Sequence, residues 1–306
     1  MSNTQYDDAD LDVGMSSDGE LHTQLERVNF EPGILLGVEA TRREQDYHRR
    51  RLNRHRYWLH GSGTLVGLAV TLSSTDNGDP TSAQPVRLNI SPGVGMDGLG
   101  REVLCHEPYC LDLRAWLQAQ WEGTESPAVL ADGLSDDGKH LHLQITMRYA
   151  SCPSGLQPVM ARKVNAGTDP VAPSRQKDSV QFDLIGGAVP GAAAQFWPWG
   201  GHDPQADADR QPLSEAEQNH LLGLDEADRA RANLAGHLIY ALPHHDRALD
   251  LNRDPEIVAR TLLAEVRIDL HEDNTPHIHP DHIQVNNLVR PIVHSADQLA
   301  WLNGHD

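Results

Sequence analysis

Residues 39–59 run without a single glycine or proline, in a chain that spreads 25 glycines and 19 prolines over 306 residues. Those two residue types are what usually end helices, so the stretch reads as one long helix, closed by Gly61-Ser62-Gly63. Its side chains narrow the possibilities further. Seven arginines (Arg42, Arg43, Arg49, Arg50, Arg51, Arg54 and Arg56) face only Glu39, Glu44 and Asp46, a local balance of +4. Apolar content is low: His48, Leu52, His55 and Leu59 recur at i, i+4, i+7 and i+11, with Tyr47 and Trp58 close by. A helix this polar depends less on a broad core-facing stripe than on partners for its charges.

The complementary charge lies just upstream. Residues 1–26 carry seven acids (Asp7, Asp8, Asp10, Asp12, Asp18, Glu20 and Glu26) and no lysine or arginine. Such a segment is an acidic arm. Asp7, Asp8, Asp10 and Asp12 are therefore expected to pair with Arg42, Arg43, Arg49, Arg50 and Arg54, in the same chain or in a neighbouring copy. Each exposed pair is worth only about 0–1 kcal/mol, so several must act together.

Formal charge over the whole chain is −19, with 44 acids against 25 basic residues, which opposes nucleic-acid or anionic-membrane binding as the main role. The longest apolar run, near residues 63–72, is half of the roughly 20 residues a membrane helix needs, so no membrane span is expected. The acidic start does not resemble a secretory signal, and Cys105, Cys110 and Cys152 are too few for a disulfide framework. A reducing cytoplasm is the expected compartment, at least during assembly.

Beyond the helix, short β-branched and alternating segments separated by turn residues predict antiparallel strands over residues 64–72, 85–90, 101–105, 140–148, 179–185, 261–270 and 283–285. Residues 140–148 alternate most strictly, with Leu141, Leu143, Ile145 and Met147 on one side. Asp112 should cap a short helix to residue 121, and Ser214 with Glu217 forms a capping box opening a helical stretch to residue 242, split at Gly223. A last short helix covers 297–302, and residues 155–173 read as irregular. The expected class is α+β, rich in antiparallel sheet. It has one long polar helix near the N-terminus and a further helical segment around 214–242. The division is an arm at 1–27, a helix plus β-rich region at 28–125 and a β-rich region with a helical insertion at 126–306, with one continuous domain over the last two as the alternative.

Few motifs carry chemistry. His277-Ile278-His279-Pro280-Asp281-His282 is the sharpest metal-like cluster, because neutral imidazoles suit zinc, iron or copper. It follows a loop signature, so a solvent-exposed loop is the leading reading and His277, His279 and His282 are secondary metal candidates. Cys105 and Cys110 form one pair where structural zinc needs two, and buried free thiols on a strand are expected. Gly93-x-Gly95-x-x-Gly98 matches the dinucleotide fingerprint by letter, but it lies between strands. It reads as a turn whose glycines supply positive φ. No catalytic group and no cofactor is expected.

The segments Phe30-Glu31-Pro32-Gly33-Ile34-Leu35-Leu36, Glu44-Gln45-Asp46-Tyr47-His48-Arg49 and Leu59-His60-Gly61-Ser62-Gly63-Thr64-Leu65-Val66-Gly67-Leu68-Ala69-Val70 carry a resemblance. Further pieces are residues 90–102, Tyr149 with Cys152, Ser174-Arg175, residues 262–266 and Val289-Arg290-Pro291. Together they resemble a largely uncharacterised bacterial family with a "pGmlL…EQdYhr…lHGwGvvcGLeV" block, whose genes lie beside baseplate genes of phage-tail-like contractile injection systems. The chain departs from it at Ser62, where the family has an aromatic residue, and at Leu65-Val66, where it has a Val-Cys pair. The resemblance implies a structural, non-enzymatic subunit that contacts other subunits as a homo- or hetero-oligomer, and it brings no catalytic residues. The alternatives are a metal-dependent enzyme using His277, His279 and His282, and a carbohydrate-binding or adhesion module, which turn-rich strands permit.

Overall fold

The computed structural model describes residues 24–74, 86–121, 131–158, 171–187, 213–226, 228–229, 232, 259–271 and 276–303. They fall into two compact units: residues up to 54 with those of 190–257, and residues 55–189 with 258–306. The class is α+β with antiparallel sheets. No described helix is long and apolar enough to cross a membrane.

The long helix α1 spans Val38–His60 and ends at Gly61, whose φ of 70° suits glycine. In the first unit the helical stretch expected from 214 opens as α3, Glu215–Leu222. The Ser214 side chain accepts from the Glu217 amide, the Glu217 carboxylate accepts from the Ser214 amide, and Gly223 closes the helix.

The second unit holds ten described strands in three sheets. Strands β1 (Gly63–Gly67), β4 (Gly93–Met96) and β5 (Glu102–Cys105) form one sheet in the order β1-β4-β5. A second, β2-β3-β6, joins Val70–Ser74, Val86–Ile90 and Tyr109–Asp112. The third, β10-β9-β7-β8, joins Ile283–Asn286, Thr261–Asp269, His140–Pro158 and Val171–Gly186. Helix α2, Leu113–Trp121, is capped by Asp112, whose carboxylate accepts from the Ala115 amide at 2.9 Å, and it buries Leu113 and Leu117 one turn apart. Helix α4 covers Ala296–Asn303.

The alternation in β7 does what a period of two demands: Leu141, Leu143, Ile145 and Met147 are all buried, and their neighbours point the other way. In β9, Leu263 and Ala264 are adjacent yet both buried. The cause is a bulge. Ile145 pairs with Ala264 while Thr146 pairs with Leu262, so Leu263 is the extra residue and the inward phase changes across it.

Four sequence expectations are corrected. Residues 64–72 are two strands in different sheets, because Gly67 (φ 70°) and Leu68 (φ 56°) turn the chain between them. Residues 91–100 are not simply a turn. Gly93 and Gly95 lie in β4 and neither takes positive φ; the positive φ of this corner is at Gly100, 76°. Residues 155–158 and 171–173, expected to be irregular, belong to β7 and β8, with Leu156 opposite Pro173. Of the three free cysteines only Cys105 is buried; Cys110 and Cys152 are exposed although both lie on strands.

Candidate functional site

Three of the segments behind the family resemblance, residues 59–70, 90–102 and 289–291, meet where β1, β4 and the residues after β10 come together. A methyl group on Gly67 would sit 2.2 Å from the Pro92 carbonyl oxygen, and one on Gly93 would sit 2.4 Å from that of Val66. A methyl group on Gly63, at φ 154°, would sit 2.6 Å from the Pro291 carbonyl oxygen, and the Thr64 amide donates to that carbonyl at 2.9 Å. Glycine is required there because backbone meets backbone.

Two buried arginines lock the arrangement. Arg290 donates from Nη1 to the carbonyls of Leu68 (2.7 Å) and Gly67 (3.4 Å), from Nε to that of Asn287 (3.0 Å), and from Nη2 to the Asn287 side-chain oxygen. Asn287 in turn bonds the Val70 backbone on both sides, each at 2.8 Å. The two residues thus satisfy the polar backbone exposed where the chain changes sheet. Burial pushes the Arg290 guanidinium below its ordinary range.

Asp97 and Arg101 form the second lock, with Nε to Oδ2 at 2.7 Å and both side chains enclosed. The other Asp97 oxygen accepts the amides of Leu99 and Arg101 across the β4–β5 turn. Arg101 also lies 5.1 Å from the centre of the Tyr149 ring. Burial is the largest influence on the Asp97 carboxyl and pushes it up, while Arg101 and the two amides pull it down. Removing either partner of such a pair typically costs about 3–5 kcal/mol.

The expected interaction residues Arg42, Arg43, Arg49, Arg50 and Arg54 all lie on α1. Part of their charge is met within the helix: Arg43 reaches Glu39 and Arg49 reaches Asp46, each at 3.1 Å, while Arg56 reaches Glu102 at 3.1 Å. Arg51 donates to the Tyr47 hydroxyl. Arg54 is lowered from its ordinary range by burial and by Arg50. Asp7, Asp8, Asp10 and Asp12 lie outside the described residues.

His277, His279 and His282 are not on a strand. They lie in the loop entering β10, where Pro280–His282 is a short 3-10 turn. They do meet other histidines. The His277 ring stacks on His271 at 3.2 Å between centres and lies 4.4 Å from His282, with His279 6.4 Å beyond. Asp269 joins this group to β7, accepting from His140 (3.1 Å) and His282 (3.2 Å), and Glu265 meets His142 at 2.9 Å. The hydrogen bond from His282, then that from His140, holds the Asp269 carboxyl below its usual range. Carboxylates backing imidazoles orient rings as they do around metals. Yet among the described residues no group of three or more His, Cys, Asp or Glu side chains is placed to hold a metal ion.

No family model and no curated protein matches the chain. Sequence reasoning passed over Asn287, the role of Arg290, and the partners His140, His142 and Asp269. His140 and His142 were legible as sharing a strand face, but their carboxylates come from 129 and 123 residues away.

Proposed function

We propose that this chain is a structural subunit of a phage-tail-like contractile injection particle, baseplate- or tail-associated, that works through contacts with other proteins. One observation supports the reading: in the resemblance blocks at residues 59–70, 90–102 and 289–291, the side chains and glycines serve backbone packing. Gly63, Gly67, Gly93, Asp97, Arg101 and Arg290 are used in holding strands together. What faces outward is contact surface. Around the start of α1, Phe30, Ile34, Leu35, Leu36 and Val38 are all largely exposed, beside the exposed guanidinium side chains of Arg42, Arg43 and Arg49. Clustered apolar exposure of this kind marks surfaces that partners cover.

The test is made in a host carrying such a particle. Mass spectrometry of purified particles should find the chain in fixed ratio to baseplate proteins. Arg42→Glu, Arg43→Glu and Arg49→Glu together should leave its circular dichroism unchanged and stop its incorporation. Particles that assemble and contract normally without the chain would overturn the reading.

A further inference from the structure

Strand β8 is an open edge. The sheet order is β10-β9-β7-β8, and β8 runs for 16 residues with no described strand beyond it. β7 pairs with β9 only as far as Met147 but with β8 as far as Pro158, so past Met147 the sheet narrows to a two-stranded ribbon. A ribbon of two strands is marginal in water. Residues 173–178 of β8 are all exposed, as are 151–153 and 155–158 of β7.

The register says which backbone groups face outward. The Gly187 amide donates to the His142 carbonyl, which makes these two a hydrogen-bonded pair, and so the odd-numbered residues of β8 turn their amides and carbonyls toward β7. Ser174, Gln176, Asp178 and Val180 turn theirs outward, and none is proline. On β7 the outward set is the odd-numbered one, and it is obstructed. Asp97 takes the Tyr149 amide at 3.4 Å, residue 153 is proline, and Gly155 leaves the extended backbone at φ 67°. Of the two ribbon edges, β8 is the clear one.

Side chains select what can pair with it. Arg175 and Lys177 share one ribbon face with Cys152, Ser154 and Leu156, and neither has an ion pair among the described residues. Asp178 lies on the other face, where the Tyr149 hydroxyl donates to it at 2.7 Å. A second β8 paired antiparallel about this stretch would set the two cations against their own copies, which is destabilising. An acidic strand fits instead. Asp8-Ala9-Asp10-Leu11-Asp12-Val13 alternates acid and apolar with the period of a strand. Laid along β8, it puts its three acids on the Arg175 and Lys177 face, and Ala9, Leu11 and Val13 on the face of Ser174, Gln176 and Val180. The arginines of α1 compete less for these acids, because Arg43 and Arg49 already hold Glu39 and Asp46.

We infer that residues 8–13 of a neighbouring copy add to the edge of β8 as a further strand, with Asp8, Asp10 and Asp12 beside Arg175 and Lys177. Main-chain bonds then supply affinity and the alternate side chains supply specificity. One donor arm and one acceptor edge per chain make a head-to-tail contact, which builds rings or filaments rather than closed pairs. The inference rests on the structural-subunit reading and names one of its contacts. It is tested on the purified chain alone, so its failure is separable from failure to enter a particle.

Light scattering of the full chain at low salt should give twice the 33.8 kDa chain mass or more. Asp8→Lys, Asp10→Lys and Asp12→Lys together should give the monomer, and so should Arg175→Glu with Lys177→Glu, both with unchanged circular dichroism. Mixing these two monomers should restore association, since each arm then meets a ribbon of opposite charge in the other variant. Gln176→Pro, which removes one outward amide and leaves the bonds to β7, should also give the monomer, while Gln176→Ala should associate like the parent. A parent that is monomeric at the highest concentration reached, a charge variant that still associates, or a mixture that stays monomeric overturns the inference. Association of Gln176→Pro equal to the parent's overturns pairing along the edge.

Discussion

Replacing Arg290 with methionine tests whether the resemblance blocks are structural. The substitution keeps an unbranched side chain of similar reach and removes every donor. Arg290 is 6% exposed, and its bonds to the Leu68 and Asn287 carbonyls are 2.7 and 3.0 Å. One buried acceptor and one half-buried acceptor left without donors cost up to about 1–3 kcal/mol each, so the gross loss is at most about 2–6 kcal/mol. The variant no longer has to strip water from a guanidinium, and that recovered solvation offsets part of the loss. A net destabilisation of about 3 kcal/mol remains, a large share of the 5–15 kcal/mol of a typical protein. Leucine at positive φ makes the site more sensitive, because its left-handed backbone, costing about 1–2 kcal/mol, is held by these same bonds. In urea, followed by circular dichroism, the midpoint should fall by about 1 M for a slope near 3 kcal/mol per M. Arg290→Lys should fall between parent and Met, since one ammonium cannot span carbonyls on both sides. A midpoint for Arg290→Met within about 0.2 M of the parent would refute the reasoning.

Gly93→Ala should destabilise by about 3 kcal/mol or more, because its methyl would overlap backbone atoms of Val66, Gly67 and Leu68 that cannot swing aside, while Gly138→Ala, with open space but φ of 66°, should cost about 1 kcal/mol in the same melts. A thiol reagent on the native chain should label Cys110 and Cys152 quickly and Cys105 slowly, since Cys105 is buried and burial raises its thiol above the usual range; three equally fast thiols would contradict the burial. Because Asp269 is depressed in the folded chain, its contribution is present above the unfolded carboxyl value near 4 and is lost as pH falls through the lower folded value. Thermal melts between pH 6 and pH 3 should therefore show Asp269→Asn losing less stability than the parent, by under about 1 kcal/mol because the group is partly exposed.

Local order was legible in the residues themselves. A stretch free of glycine and proline can only fray at its ends, so α1 was found within one residue of each boundary. Strict alternation fixed the inward face of β7, and the Ser214–Glu217 spacing fixed the start of α3, because each depends on neighbours within one turn or one pleat. The sequence likewise showed the 48-52-55-59 spacing on α1, but not which side of the helix would stay open. That was decided by tertiary structure: polarity suggests an outward face, and here the polar Asn53 is covered while Leu52 and Leu59 are not. The same holds for Gly93, which looked like a turn residue and instead admits the backbone of β1, a strand some 27 residues earlier. Arg290 bonds Leu68 from 222 residues away, and His140 meets Asp269 from 129. Such contacts are set by sheet order and register, which depend on how whole strands pair, and no local spacing records them.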